Sequence, residues 1–353
     1  MAQFPISRLD VESFGPFATL TLHFSDRLNI VMGDNGTGKS QLLKLLYAVS
    51  VPLLRADSLT KGQLNRDIAA RLVGVFRPDS LGRLTNRGPG RARADVAVEF
   101  KGLRSDLAFS FASNSKSEVI TSSVPDRCLA DTPVFLPVHE LMSLYPGFVS
   151  LYDERQLEFD ETWRDTASLL GRPALRGPRT EDVARVLEPI ESILNGTIQD
   201  SSGRFVLHRP GLGNFEMPLV AEGLRKLAMI VRLVQSGTLL NSGYLFWDEP
   251  EANLNPRSLV PLAQVIVELA LSGVQVFVAT HSVFLLRELH LALDAAGQAD
   301  GAPISRIVAL RSTELGVIAE QADDVDDIPL DFLASLGAEI GQTERALGVV
   351  AHD

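Results

Sequence analysis

The chain has 353 residues, 45% of them hydrophobic, with 33 Lys and Arg against 44 Asp and Glu and a single cysteine, Cys128. That length and apolar content exclude a disordered tail, and one thiol excludes a disulfide framework or a multi-thiolate metal site. The net charge of −11 sits mainly at the end: residues 320–353 hold nine acidic residues and one arginine, leaving −3 for the first 319, so a uniformly basic surface is excluded.

The N-terminus alternates apolar and polar residues at Ile6–Val11 and again at Leu20–Phe24, with Phe14-Gly15-Pro16-Phe17 as the turn between two strands. Leu28–Met32 reads as a buried strand that enters a glycine-rich loop, and a helix with Leu42, Leu43, Leu45, Leu46 and Val49 on its apolar face follows. Residues 77–93 place Arg77, Arg83, Arg87, Arg91 and Arg93 among Gly and Pro, a basic loop suited to phosphate contacts with DNA but equally to solvated charge. Strands are expected at Asp95–Phe100, Leu107–Phe111 and Val134–Val138, the last running into His139-Glu140. Residues 150–195 read as helical around a loop at Gly171–Pro178 that carries Arg172 and Arg176, with Arg179 just beyond it. A hairpin over Phe205–Met217 precedes an apolar helix over Gly223–Val234. Strand Tyr244–Trp247, helix Pro256–Leu271, strand Val274–Ala279 and helix Val283–Leu293 then alternate, and their fully apolar strands imply a buried, mostly parallel sheet.

Gly33-Asp34-Asn35-Gly36-Thr37-Gly38-Lys39-Ser40 has the spacing GxxxxGK[ST]. Its glycines let the backbone wrap phosphates, its N–H groups form an anion nest, and the helix N-terminus adds a favourable dipole. Lys39 is placed to reach the terminal phosphates and Ser40 to ligate Mg2+, so the segment predicts a nucleotide site. Strand Tyr244–Trp247 ends in Asp248-Glu249 on the same side of a parallel sheet. Asp248 is the candidate second Mg2+ residue, and Glu249 the candidate general base or water-positioner. Asn255 followed by Pro256 is a helix start, and Thr280-His281-Ser282 ends a further strand, where His281 is placed to sense a terminal phosphate.

In their order, the Phe14–Phe17 turn, the phosphate loop, Asp248-Glu249-Pro250-Glu251-Ala252-Asn253-Leu254-Asn255-Pro256 and Ala279-Thr280-His281-Ser282 resemble the ABC-type ATPase superfamily, in its RecF/SMC/OLD-like branch. The chain looks in particular like the compact stand-alone ATPases of bacterial anti-phage operons, such as the Septu type. The resemblance implies an α/β ABC-type ATPase head: a P-loop NTPase with a mostly parallel core sheet, an antiparallel β subdomain and a short helical insertion. It divides the chain into an N-terminal lobe (1–140), an insertion (141–215), a C-terminal lobe (216–320) and an acidic tail (321–353). It implies ATP and Mg2+ as cofactors, with Asn35, Gly36, Thr37, Gly38, Lys39, Ser40 and Gln41 on the nucleotide and Ser40 and Asp248 on the metal. Glu249, His281 and Lys39 are its catalytic set. Val220–Lys226 occupies the place of the family's signature segment, so Gly223 is expected on the nucleotide of the opposite subunit in a head-to-tail homodimer or higher oligomer, although Ala221 stands where a serine is usual. His139 or Glu140 occupies the position of a glutamine loop. The implied function is an ATP-driven switch acting on an effector protein or on DNA. A low-turnover scaffold that holds an effector inactive and a RecF-like repair ATPase are the alternatives. No signal segment or apolar run long enough for a membrane span occurs, so a cytoplasmic protein with no membrane partner is expected.

Overall fold

Alternating and continuous apolar strands sort into different sheets in the computed structural model, which describes residues 2–54, 60–86, 92–155, 157–177, 179–201, 203–240, 243–297, 303–314 and 316–346. In chain order the elements are β1 (Ile6–Phe14), β2 (Phe17–His23), β3 (Leu28–Gly33), α1 (Lys39–Ser50), α2 (Lys61–Phe76), β4 (Arg93–Phe100), β5 (Leu107–Ala112), β6 (Ile120–Ser123) and β7 (Val134–Leu136). There follow α3 (Phe148–Arg155), α4 (Glu161–Leu170), α5 (Glu181–Leu194), β8 (Thr197–Ser201), β9 (Arg204–Arg209) and β10 (Gly213–Glu216). Then come α6 (Glu222–Gln235), β11 (Tyr244–Asp248), α7 (Pro256–Leu271), β12 (Gln275–Thr280), α8 (Val283–Ala296), β13 (Ser305–Thr313), β14 (Gly316–Ala322) and α9 (Ala334–Ala346).

The alternating strands form an antiparallel sheet in the order β2-β1-β4-β5-β6, and β10-β9-β8 make a small antiparallel meander. The fully apolar strands form the central sheet, β14-β13-β3-β12-β11-β7, in which only β14 runs antiparallel to its neighbour. Both faces of this sheet are covered, and the period of two divides its side chains between two cores. Ile30, Met32, Leu245, Trp247, Val276 and Val278 pack toward α5, α6 and α7. Val31, Phe246, Phe277 and Val308 pack on the other face, toward α1, α2 and the five-stranded sheet. The expected α/β class, with a mostly parallel sheet, an antiparallel β subdomain and a helical insertion, is the observed one.

A buried amide joins the two large sheets. Gln275 has no exposed surface; its Oε1 accepts from the Ile6 N–H at 2.8 Å, and its Nε2 donates to Ile6 O at 2.7 Å and Ser25 O at 2.8 Å. Gln275→Ala takes the amide away from the buried N–H and C=O of Ile6, whereas Ser25 O keeps the Asn29 Nδ2 donor at 2.9 Å. The expected destabilisation is about 2–4 kcal/mol in a denaturant melt; a loss under about 1 kcal/mol would show that water replaces the amide.

Sequence patterning assigned no element to α2, β13, β14 or α9. The stretch read as an acidic tail opens in β14, passes through two short 3-10 turns and ends in α9. Three of its carboxylates are paired, Asp323 with Arg306 at 3.1 Å, Asp331 with Arg311 at 2.9 Å and Glu339 with Arg287 at 3.9 Å. Among the described residues no cluster of His, Cys, Asp and Glu has the makings of a metal site, and no helix is long and apolar enough to cross a membrane.

Candidate functional site

The parallel strands deliver their C-terminal ends to one crevice. β3 is buried along its whole length and releases the chain at Gly33 into a loop whose Asp34, Asn35 and Gly36 are exposed. Thr37 closes that loop from within, its hydroxyl donating to Asp34 O at 2.9 Å. Gly38 has φ +93, and a Cβ there would lie 2.7 Å from Pro16 and 2.8 Å from Phe17. Glycine is therefore required both for the backbone conformation and for the close packing of the Phe14–Phe17 turn on the loop. Gly36, at φ +86, has nothing within 4 Å of a built Cβ, so its side opens onto free space. The exposed Gln41 sits beside the same turn, its Oε1 2.5 Å from a Cβ built at Gly15.

Lys39 begins α1 and is 5% exposed. Its ammonium donates to Gly33 O at 2.8 Å and Asp34 O at 2.9 Å, folding back over the loop. Burial lowers its pKa, while Glu249 and Asp248 act in the opposite direction. Ser40 donates its hydroxyl to Asp248 Oδ1 at 2.9 Å, which brings together the two oxygens expected to hold Mg2+ from elements 208 residues apart. Both are hard oxygen donors, and their pairing fits a magnesium site completed by water and phosphate.

Burial pushes the Asp248 carboxyl up to about 6; the neighbouring Glu249 charge adds to this, and the Ser40 hydrogen bond and Lys44 and Lys39 oppose it. A carboxylate whose folded pKa is raised takes up a proton as pH falls through about 6, and the proton competes with a divalent cation. Mg2+-dependent nucleotide affinity is therefore expected to weaken by about tenfold per pH unit below about 6. Asp248→Asn should flatten that dependence when Mg2+ is titrated at pH 5 and pH 7.5. An unchanged slope in the variant would remove Asp248 from the metal site.

Glu249 follows β11 and extends its ladder by one bond, its N–H donating to Ala279 O at 2.9 Å. Its φ is +44, a left-handed conformation that turns the chain out of the sheet. Its carboxylate is partly exposed and lies 3.6 Å from His281 Nδ1, beyond direct hydrogen bonding. His281 sits at the end of β12 and is 3.6 Å from Glu251 as well. The structure thus brings Lys39, Ser40, Asp248, Glu249 and His281 to one crevice from three adjacent strands.

Two functional candidates went unassigned by motif reading. Glu251, buried, accepts from the Thr280 hydroxyl at 2.5 Å and the His281 N–H at 3.3 Å, and so ties the turn after β11 to the end of β12. Its second oxygen, Oε2, is buried and has no hydrogen-bond partner among the described residues. Lys226, on α6, reaches the carbonyl of Glu249. The repeated acid of Asp248-Glu249-Pro250-Glu251 was the available signal for the first; the second closes the signature-like Val220–Lys226 segment, whose pattern assigns it no contact.

The remaining sequence candidates sit apart from this cluster or serve other contacts. Gly223 is buried in its own chain, where a Cβ would lie 2.3 Å from Asn253 O, while Ala221 is exposed. His139 faces Glu222 at 3.5 Å, and the buried Glu140 pairs with Arg225 at 2.7 Å and accepts from the Ser143 N–H at 3.0 Å. Both therefore hold the segment after β7 against α6. Of the arginines of 77–93, Arg77 donates to Leu157 O at 3.4 Å, Arg83 lies 3.9 Å from Asp79, and Arg93 meets Ser110 and Asp95. Arg87 and Arg91 lie outside the described residues. Arg179 is paired with Glu191 at 2.7 Å.

Residues 134–287 match the family model described as "AAA domain, putative AbiEii toxin, Type IV TA system", and residues 4–51 match a second, described as "AAA domain". No curated protein sequence matches the chain. Among solved structures, an Smc head bound to the C-terminal winged-helix domain of ScpA aligns over 90% of this chain and 97% of its own, with TM-score 0.55 and 12% identity. An Smc head with an extended coiled coil, bound to the C-terminal domain of ScpA and derived from Pyrococcus furiosus, aligns over 96% of this chain and 100% of its own, with TM-score 0.52 and 12% identity. With the phosphate loop, the acidic pair and the strand order in place, the chain has the fold of a P-loop NTPase head of the ABC/SMC type.

Proposed function

We propose that the protein is an ATP-binding and ATP-hydrolysing switch that uses Mg2+ and closes as a head-to-tail dimer around nucleotide. The observation that carries this reading is the convergence of Lys39, the Ser40–Asp248 pair, Glu249 and His281 at the ends of β3, β11 and β12. Asn35, Gly36, Thr37, Gly38 and Gln41 offer the loop and helix-start groups for the phosphates. Magnesium, when bound, would supply positive charge against the phosphate oxygens. Within the chain, Glu249 orients the attacking water and takes its proton. His281 sits between Glu249 and Glu251, at the position from which a terminal phosphate is sensed. Gly223 and the N-terminus of α6 are assigned to the opposite subunit's nucleotide, and the exposed Ala221 brings no hydroxyl to that contact. That missing hydroxyl favours the second reading, a low-turnover scaffold.

Closure is proposed to act on an effector protein in trans, in the cytoplasm, as part of anti-phage defence. The matched model's reference to a type IV toxin–antitoxin system and the ScpA domain bound to both similar heads support a partner protein. DNA contact is assigned to the arginines of 77–93. The deciding experiment is the light-scattering mass of Glu249→Gln with and without Mg2+-ATP. A doubling that Lys39→Ala abolishes supports the switch. An unchanged mass with nucleotide bound excludes ATP-driven dimerisation and leaves the scaffold.

A further inference from the structure

Helix α6 buries a lysine one turn from its start. Lys226 is 3% exposed, and its ammonium donates to Glu249 O at 2.8 Å and Ala252 O at 3.4 Å. Among the described residues no carboxylate forms an ion pair with it. A buried cation satisfied only by carbonyls is a costly arrangement, and burial lowers its pKa to about 8 against the opposing pull of Glu251, Glu249, Glu222 and Asp248. What it helps to secure is the main chain on either side of one residue. The N–H of Glu249 is held by β12 through Ala279, its carbonyl accepts from the Ala252 N–H of its own turn at 3.1 Å and from Lys226 as its tie to α6, and its φ of +44 leaves the residue in a conformation that needs outside support. The same helix presses on the same turn a second time, where Gly223 abuts Asn253.

We propose that Lys226 is a positioning residue that fixes the Glu249 peptide to α6, so that the direction of the Glu249 carboxylate depends on where that helix sits. The inference rests on the reading of Glu249 as the base for ATP hydrolysis, and it adds a route by which the position of α6 reaches the chemistry. In this role Lys226 acts through the Glu249 carbonyl rather than on the reacting groups.

The test compares the full-length wild type, Lys226→Met and Lys226→Gln for Mg2+-ATP affinity and phosphate release. Losing a charged hydrogen bond predicts a kcat roughly 10- to 100-fold lower in Lys226→Met, with ATP affinity within about twofold of wild type. Gln keeps a neutral N–H donor for the carbonyl and predicts an intermediate loss of about 3- to 10-fold. Wild-type kcat in Lys226→Met overturns the proposal, as does a parallel loss of affinity and turnover, which marks a structural residue only. If Lys226→Met fails to fold, Lys226→Gln decides: reduced kcat at unchanged affinity supports the proposal, and no change or a parallel loss overturns it. A wild type that neither binds Mg2+-ATP nor releases phosphate defeats the ATPase reading itself. A wild type that turns over beside an unaffected Lys226→Met defeats only the role of Lys226.

Discussion

Lys39→Ala is expected to lower ATP affinity by roughly 100-fold or more. The ammonium folds over the phosphate loop from the first residue of α1, and charged hydrogen bonds are each worth about 1.5–3 kcal/mol. The variant also loses the bonds to Gly33 O and Asp34 O, so the loop gives up its internal tie as well as its charge. Titration of a fluorescent ATP analogue, with and without Mg2+, measures the effect. Affinity within threefold of wild type would mean that the phosphates bind elsewhere. The fold should survive, because α1 is held along its length by Leu42, Leu43, Leu45, Leu46 and Val49, all with no exposed surface.

Glu249→Gln separates binding from turnover. The amide matches the carboxylate in size, and the main chain at 249 is fixed by Ala279 O and Lys226 rather than by the side chain. Loss of a general base predicts a fall in phosphate release of roughly 100- to 10,000-fold, with nucleotide affinity within about twofold of wild type. Phosphate release at saturating Mg2+-ATP provides the measurement. Turnover reduced less than about threefold would remove Glu249 from the chemistry and direct attention to His281 and Glu251.

Much of this site was legible because its chemistry is tied to spacing. GxxxxGK[ST] after a buried strand and Asp-Glu at the end of another each require a set backbone shape, and parallel strands carry both to one side of a sheet. Helix α7 was equally readable: Asn255 caps it through the Ser258 N–H, and Pro256 takes the first helical position. The helix over Lys61–Phe76 went unassigned although Leu64, Ile68, Leu72 and Val75 repeat at helical spacing, since Gly62 and Gly74 weaken its propensity. β13 was missed for another reason. Its pairing with β3 joins segments about 275 residues apart, and such a contact leaves no local pattern, while β14 enters the sheet only as the antiparallel partner of β13. Lys226 shows the same limit at the level of one side chain. On the sequence it is one more basic residue on an amphipathic helix, and only the folded turn after β11 gives its ammonium two carbonyls.

The place of β3 in its sheet sets a hierarchy of solvent exchange. Parallel partners pair with it on both sides, β12 through Leu28–Met32 and β13 through Leu28–Gly33. Amides so placed meet deuterium only when the sheet itself opens, whereas those of the exposed Asp34–Gly36 meet it through local motion. The phosphate loop is thus expected to exchange fast between the slower β3 and α1. A bound phosphate would therefore register as protection over residues 34–40 alone, leaving the strand behind it unchanged.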